Sequence, residues 1–517
     1  MAPALRSFLI GLAASALAIW VGFNLAQEDY FLAALSLCLC LWALLAWLRG
    51  PRVEAWLLAF LLAGYLIGSR GFAQITPLPE LPLFVGELGL GFAGFMWFVR
   101  GALERRLPWS PTALHGLLLF WLLLGAGRIF WDARAFGLMA LRDFALLYYL
   151  LFYFFARELC LHAPSRRLLS QTLTVTFFLL PLSALGTQFF SDIFLHRLVL
   201  NRVPLVLQKG DLLAMGLFAG FIWLLPERGI PLRVAGGRWL GALASLCSGL
   251  TMLSRASMLG LFIALGWLAL ARRWRHLAVT AAVGVAGLAG GMVYSTLQGR
   301  TITDTKVYAI YEAVLSVADF SGTRSYLSER SGNKGDNNRF RLVWWRTVVE
   351  ETIATNPWLG LGFGADLARS FLLEYYAGED LEFTARSPHN VFITTFGRMG
   401  LAGLIVLLAI YATIARDTWR SCRHGRARPA DETEGALRLR AIVWLMMIGA
   451  CFGVVLEGPM GAIPFWIILG LAQHTATEPG GAKEPARPTG SAVSSVLARA
   501  TPLRGATMQS RVERVDL

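Results

Sequence analysis

Unbroken apolar runs roughly 15–25 residues long recur along almost the whole of this 517-residue chain, and that is the length that crosses the hydrocarbon of a bilayer. Where no water is present to satisfy the backbone, such runs are read as helices. Composition agrees: 56% of residues are hydrophobic and 15% charged, against about 25% charged in soluble domains. A disordered protein, a secreted disulfide scaffold and a nucleic-acid enzyme are thereby excluded.

Apolar windows place candidate spans near 7–26, 30–48, 54–70, 82–99, 112–127, 137–156, 168–190, 211–225, 238–254, 256–271, 276–296, 390–415, 441–457 and 461–473. The pairs 238–254/256–271 and 441–457/461–473 can each be broken or re-entrant, so about twelve to fourteen spans are expected. Either count leaves both termini on one side. The first run, preceded by Arg6, could pass for a signal peptide, but a second span follows at once and it reads as a retained helix.

Short basic loops at Arg49/Arg52, Arg100/Arg105/Arg106, Arg157/Arg166/Arg167, Arg228/Arg233/Arg238, Arg272/Arg273/Arg275 and Arg416–Arg440 all fall on one face when the spans alternate, which makes that face cytoplasmic. The net charge of +14, from 47 Lys+Arg against 33 Asp+Glu, then collects on the cytoplasmic side and leaves the outer side nearly balanced. Basicity reports orientation and calls for no nucleic-acid partner. The cysteines (Cys38, Cys40, Cys160, Cys247, Cys422, Cys451) lie in spans or cytoplasmic loops, so neither disulfides nor a cysteine zinc site is expected.

The expected fold is therefore all-α, a polytopic integral membrane bundle with a helical outer loop domain. Its parts are an N-terminal transmembrane bundle (1–296), a large loop (297–388), C-terminal transmembrane helices (389–474) and a disordered cytoplasmic tail (475–517), the last Pro/Gly/Ser/Ala-rich.

Cations on the outer face oppose the positive-inside rule and call for an explanation. Arg128 and Arg134 flank a short outer turn, and Arg142 enters the next helix by about five residues, roughly 8 Å of rise. Arg197, Arg202 and Lys209 crowd the stretch before 211, and Arg255 sits at a tight turn between two apolar runs. Each could snorkel to lipid phosphate. Together they suggest an outward anion cavity at headgroup depth, because the guanidinium fork binds phosphate oxygens bidentately and keeps its proton. Asp132, Asp143 and Asp211 lie among them and could neutralise them.

Within 297–388, apolar positions Val307, Ile310, Tyr311, Val314 and Leu315 repeat with helical spacing over 304–320. After a polar stretch read as flexible (SERSGNKGDNN), a second helix interleaves Arg339, Arg341 and Arg346 with Phe340, Trp344 and Trp345, a headgroup-level signature. Asn356-Pro357 ends it, the glycines of LGLGFG (360–364) permit a tight turn, and a further helix runs to Tyr375-Tyr376. Pro388 holds its neighbour out of the following helix, which places His389 at the mouth of the span 390–415. A helix N-terminus and nearby arginines disfavour the imidazolium, so His389 can serve as a neutral base. The alternative is a histidine that caps the helix or bonds backbone. Glu28-Asp29 and Glu379-Asp380-x-Glu382 are possible metal-binding carboxylates that read more simply as solvated loop charge.

The series NRFRLVWW, NPWLGLGFG and SPHN, with His389-Asn390-x9-Gly400-x-x-Gly403, resembles the O-antigen ligase/O-antigen polymerase superfamily over about 335–405, and its last part is similar to the ligase signature. The resemblance implies transfer of a preassembled glycan from undecaprenyl pyrophosphate to a sugar hydroxyl of lipid A–core, at the periplasmic face of the inner membrane. It also implies that His389 is the base and that Arg142, Arg255, Arg339 and Arg341 engage pyrophosphate. Arg128, Arg202, Lys209 and Asn390 join them as candidate substrate-binding residues from their position. Inversion at the anomeric carbon and no metal or other cofactor are expected. A polymerase or protein O-oligosaccharyltransferase would use the same donor. A lipid-linked-sugar transporter is disfavoured because polar residues are sparse at span centres.

Overall fold

The computed structural model describes residues 15, 18–27, 33, 36–37, 52–76, 83–104, 112–200, 202–226, 231–299, 301–315, 329–375, 386–424 and 430–477. The run 30–48, Glu28-Asp29, Glu379–Glu382 and the tail beyond 477 lie wholly or mostly outside the described residues. By its contacts the chain divides into a unit Met1–Ala476 and a second, Thr477–Leu517.

The described residues form an all-α polytopic membrane protein. Five helices are long and apolar enough to cross a bilayer: Ala113–Phe136, Leu138–Cys160, Ala163–Phe189, Arg275–Leu297 and Val391–Arg423. Shorter apolar helices accompany them at Val53–Gly68, Gly210–Leu224, Arg255–Leu270 and Pro459–Gln473.

In chain order the helices are α1 (Val53–Gly68), α2 (Arg70–Ala73), α3 (Val85–Glu104), α4 (Ala113–Phe136), α5 (Leu138–Asp143), α6 (Ala145–Tyr148), α7 (Leu151–Cys160), α8 (Ala163–Phe189), α9 (Gly210–Leu224), α10 (Leu232–Thr251), α11 (Arg255–Leu270), α12 (Arg275–Leu297), α13 (Lys306–Leu315), α14 (Glu329–Thr355), α15 (Arg369–Tyr375), α16 (Val391–His424), α17 (Ala430–Ala450) and α18 (Pro459–Thr477). A two-residue hairpin, β1 (Val199–Leu200) with β2 (Val203–Pro204), precedes α9. The main core runs through α1, α4, α6–α11 and α16–α18, with Trp121, Tyr65, Phe218 and Trp466 among its largest buried side chains. A separate small core of Trp344, Val348, Leu367, Ala368 and Phe371 holds the loop region together, and there the Trp344 and Phe371 rings stack 5.4 Å apart.

Local chemistry sets the joints. Gly137 takes a positive φ of 59° between α4 and α5, and α5 to α7 continue as one rod whose joints keep right-handed helical dihedrals. Ser254 caps α11, its Oγ accepting from the Ser257 amide. Ser69 breaks α1 from α2, and the freed backbone pairs with Leu207: Arg70 N–H donates to Leu207 O (3.0 Å) and Leu207 N–H to Gly68 O (3.1 Å). That pairing ties the segment before α9, and Lys209 with it, to the end of α1.

Several boundaries differ from the sequence expectation. The span expected over 112–127 runs on to Phe136, so Arg128 and Arg134 lie on one helix, α4, and the turn expected between them falls at Gly137. The run 441–457 is not helical throughout: α17 ends at Ala450 and a turn occupies 451–458, where Gly453, Gly458 and Pro459 interrupt the apolar pattern. The same helix begins before 441, because Arg438 and Arg440 are buried with partners that hydropathy does not register, Arg438 donating to Glu434 Oε1 (2.5 Å) and Trp223 O (3.0 Å). Likewise, the polar stretch expected to be flexible is helical from Glu329; a helix nucleated by the Trp344 packing extends backward at one bond per residue.

Candidate active site

His389 lies in the segment between the loop region and α16, outside the membrane-spanning helices. Its backbone is left-handed (φ 57°), a conformation that strains a non-glycine residue. The turn supports it, because its amide donates to Ser387 Oγ (3.2 Å) and Trp345 Nε1 donates to Pro388 O (2.7 Å). The imidazole Nδ1 lies 2.8 Å from Ser387 O. A carbonyl only accepts, so Nδ1 carries the hydrogen and Nε2 is left with its lone pair. Trp344 borders the ring edge-on, with centroids 6.1 Å apart. Burial first, then the Arg341 and Lys209 charges, push the imidazole down to about 4, against a smaller opposing pull from the Ser387 carbonyl and Asp211. Burial is thus a larger cause of the shift than the charges that the sequence pointed to.

Asn390 accepts the amides of Phe392 (2.9 Å) and Ile393 (3.2 Å) on Oδ1, so it caps α16. Arg341, on α14, donates to Phe452 O (2.9 Å). Burial pulls its guanidinium down and Asp211 opposes this. Lys209 pairs with Asp211 at 3.4 Å, and Asp211 O accepts from Ser257 Oγ (3.0 Å), which draws the Arg255 turn to the same end of the bundle. His389, Arg341, Lys209 and Asp211 therefore act on one another electrostatically, with the half-buried Arg255 on the adjoining helix start.

Other expected cations are placed differently. Arg202 is exposed in the hairpin turn and left-handed (φ 64°). Arg142 is exposed on α5. Arg339 lies on α14, and its side chain is outside the described residues.

Arg128 is engaged in holding the glycine loop. It donates to Leu359 O and Gly360 O and pairs with Asp132 at 3.0 Å. Asp132 in turn accepts the Phe363 amide (2.8 Å) and Asp143 the Gly364 amide (3.0 Å). Arg398, buried in α16, pairs with Asp143 at 2.8 Å and donates to Gly362 O and Ala365 O. Arg386 donates to Gly364 O (2.7 Å). At Gly362 (φ 103°) a Cβ would meet Asp132 Oδ1 at 2.6 Å.

The loop also threads into a break in α16 at Gly400 (φ 61°). There Gly397 O accepts from Leu361 N–H (2.7 Å), while Leu401 N–H donates to Pro357 O (2.8 Å) and Ala402 N–H to Trp358 O (3.2 Å). A Cβ at Gly400 would lie 2.4 Å from the Trp358 carbonyl, which gives the Gly400 of the sequence motif its physical reason.

Sequence reasoning missed Arg398 and Glu457 altogether. An arginine inside an apolar span was the available signal for the first. Glu457 lies in the turn after α17 and accepts from Thr394 Oγ1 (3.0 Å). Burial pushes its carboxyl up, against the Ser387 and Thr394 hydroxyls and the Arg398 charge.

No curated protein matches the chain. The family model described as O-antigen ligase matches residues 240–408, a stretch that contains Arg255, Arg339, Arg341, His389, Asn390 and Gly400, while Arg128, Arg142, Arg202 and Lys209 precede it. Across residues 240–408, therefore, the chain is similar to the O-antigen ligase family.

Proposed function

We propose that this protein is an O-antigen ligase that transfers a preassembled glycan from undecaprenyl pyrophosphate to a sugar hydroxyl of lipid A–core, at the periplasmic face of the inner membrane. The observation that carries this reading is the turn that places His389 Nδ1 on the Ser387 carbonyl, which leaves Nε2 as the basic nitrogen, under the electrostatic influence of Arg341 and Lys209. The similarity to the O-antigen ligase family over residues 240–408 supports a membrane glycosyl-transferring enzyme with a lipid-linked glycan donor and a lipid acceptor in general.

The acceptor hydroxyl oxygen attacks the anomeric carbon as its proton passes to His389 Nε2. The bond from that carbon to the pyrophosphate oxygen breaks, and the electron pair leaves with the undecaprenyl pyrophosphate. Arg341 and Lys209, with Arg255 at the neighbouring helix start, stabilise the charge that develops there, which is the part fixed cations do best in a water-poor site. In-line displacement inverts the anomeric configuration. Because protein cations meet the pyrophosphate charge, no step is assigned to a metal.

The test offers the lipid-linked donor to purified protein with either lipid A–core or a second lipid-linked glycan as acceptor, in the presence and absence of chelator. Glycosylated lipid A–core at an unchanged rate under chelation is expected. Product on the lipid-linked glycan alone would replace the ligase by a polymerase.

A further inference from the structure

The turn 451–458 between α17 and α18 touches both halves of the site, although it lies beyond the stretch matched by the family domain. From one end, Phe452 O receives Arg341. From the other, Glu457 Oε1 receives the hydroxyl of Thr394 (3.0 Å), a buried residue in the first turn of α16. Thr394 Oγ1 lies 3.4 Å from Ser387 Oγ, and Ser387 in turn accepts the His389 amide on Oγ and the imidazole Nδ1–H on its carbonyl. A chain of hydrogen bonds thus runs from the Glu457 carboxylate to the backbone and ring of the histidine. Arg398 and Asp143 also face Glu457 electrostatically, so the same carboxylate adjoins the clamp on the glycine loop.

We propose that Glu457 is a positioning residue for His389: through Thr394 and Ser387 it holds the strained left-handed turn that fixes the imidazole tautomer with Nε2 as the basic nitrogen. The inference rests on His389 being the base, and it assigns Glu457 no contact with substrate. Left-handed backbone at a non-glycine residue survives only where surrounding bonds over-determine it, and Glu457 is the charged end of the bonds that do so here. The turn also sets base and cation at a common spacing, since it grips one through Glu457 and the other through the Phe452 carbonyl.

The experiment uses the full chain in detergent with Glu457→Gln, Glu457→Ala, Thr394→Val and Thr394→Ser. The first measurement needs no transfer activity: it is the pH midpoint of diethyl pyrocarbonate modification of His389, followed on its own peptide. Wild type and Glu457→Gln, which keeps an acceptor oxygen for Thr394, should both titrate at about 4. Glu457→Ala and Thr394→Val should move the midpoint upward toward the ordinary histidine value, and Thr394→Ser should restore it. In the transfer assay, Glu457→Ala and Thr394→Val should lower kcat at least about tenfold with donor KM nearly unchanged, while the conservative variants recover it. Thr394→Val combined with Ser387→Ala removes both hydroxyls that reach Glu457 without emptying its site, so the pair answers even if Glu457→Ala fails to fold.

An unchanged midpoint and kcat in both Glu457→Ala and the combined Thr394→Val, Ser387→Ala variant would overturn the proposal. Loss of kcat in Glu457→Gln as deep as in Glu457→Ala, with the His389 midpoint at its wild-type value, would also overturn it and make the carboxylate itself the acting group. Should wild type transfer nothing while Glu457→Ala still shifts the midpoint, positioning survives and the transfer reading fails.

Discussion

At neutral pH the His389 ring holds its only proton on the side facing Ser387, and the reaction asks for a lone pair on the other. Replacing it with alanine should lower kcat about 10²–10⁴-fold, the usual worth of a general base, with donor binding retained in an equilibrium measurement. Because the acting form is unprotonated and titrates at about 4, kcat/KM should be flat through the neutral range. It should then fall about tenfold per pH unit once the pH drops below that value. An acid limb centred near the ordinary histidine value would show that the buried, cation-flanked environment does not persist in the working enzyme. Arg341→Ala removes a charge rather than a base, so its effect belongs mainly to donor KM, about tenfold or more for a lost charge-assisted contact. Lysine at the same position should recover part of it.

The glycine loop and α16 form one structural element, even though they are separated in sequence by α15 and the residues leading to His389. Gly400→Ala places a Cβ against the Trp358 carbonyl at a positive φ, which should destabilise the protein by about 1–3 kcal/mol, read as a lower unfolding midpoint in detergent. Asp143→Ala strands the buried Arg398 guanidinium and removes the acceptor for Gly364 N–H, a loss of about 3–5 kcal/mol. Adding Arg398→Leu should recover part of that loss, because the uncompensated charge goes with it; a double variant no more stable than the single one would refute the clamp. This element also shows why part of the site was legible in sequence and part was not. Pro388, Gly400 and the alternating glycines of 360–364 mark backbone conformations that only certain residues tolerate, so His389 and the loop could be placed from local chemistry. In sequence Arg128, beside a short outer turn, and Arg341, interleaved with aromatics in the loop, both read as outer cations for an anion. Only the fold brings Arg128 onto the Leu359 and Gly360 carbonyls and leaves Arg341 beside the histidine. Glu457 was hidden for a related reason, since its partner Thr394 is distant in sequence and neither residue breaks a pattern.

For the whole molecule, the alternation of spans predicts which ends share a compartment. With native cysteines replaced, a cysteine introduced at Thr301 should react with a membrane-impermeant thiol reagent added to intact spheroplasts. One at Arg420, at the far end of α16, should react only after the membrane is opened. Both positions are exposed, so the reverse pattern would invert the assigned orientation. The break at Gly400 has a further consequence at this scale. The break is stitched to the loop from both sides, through Gly397 O on the short rod and through the Leu401 and Ala402 amides at the start of the longer, apolar one. A tilt of the longer rod in lipids of different thickness is therefore passed through these bonds to the loop, and the histidine turn moves with it. Turnover should then depend on acyl-chain length in reconstituted vesicles, with an optimum where the break is undistorted; a flat response would show that the joint does not transmit tilt.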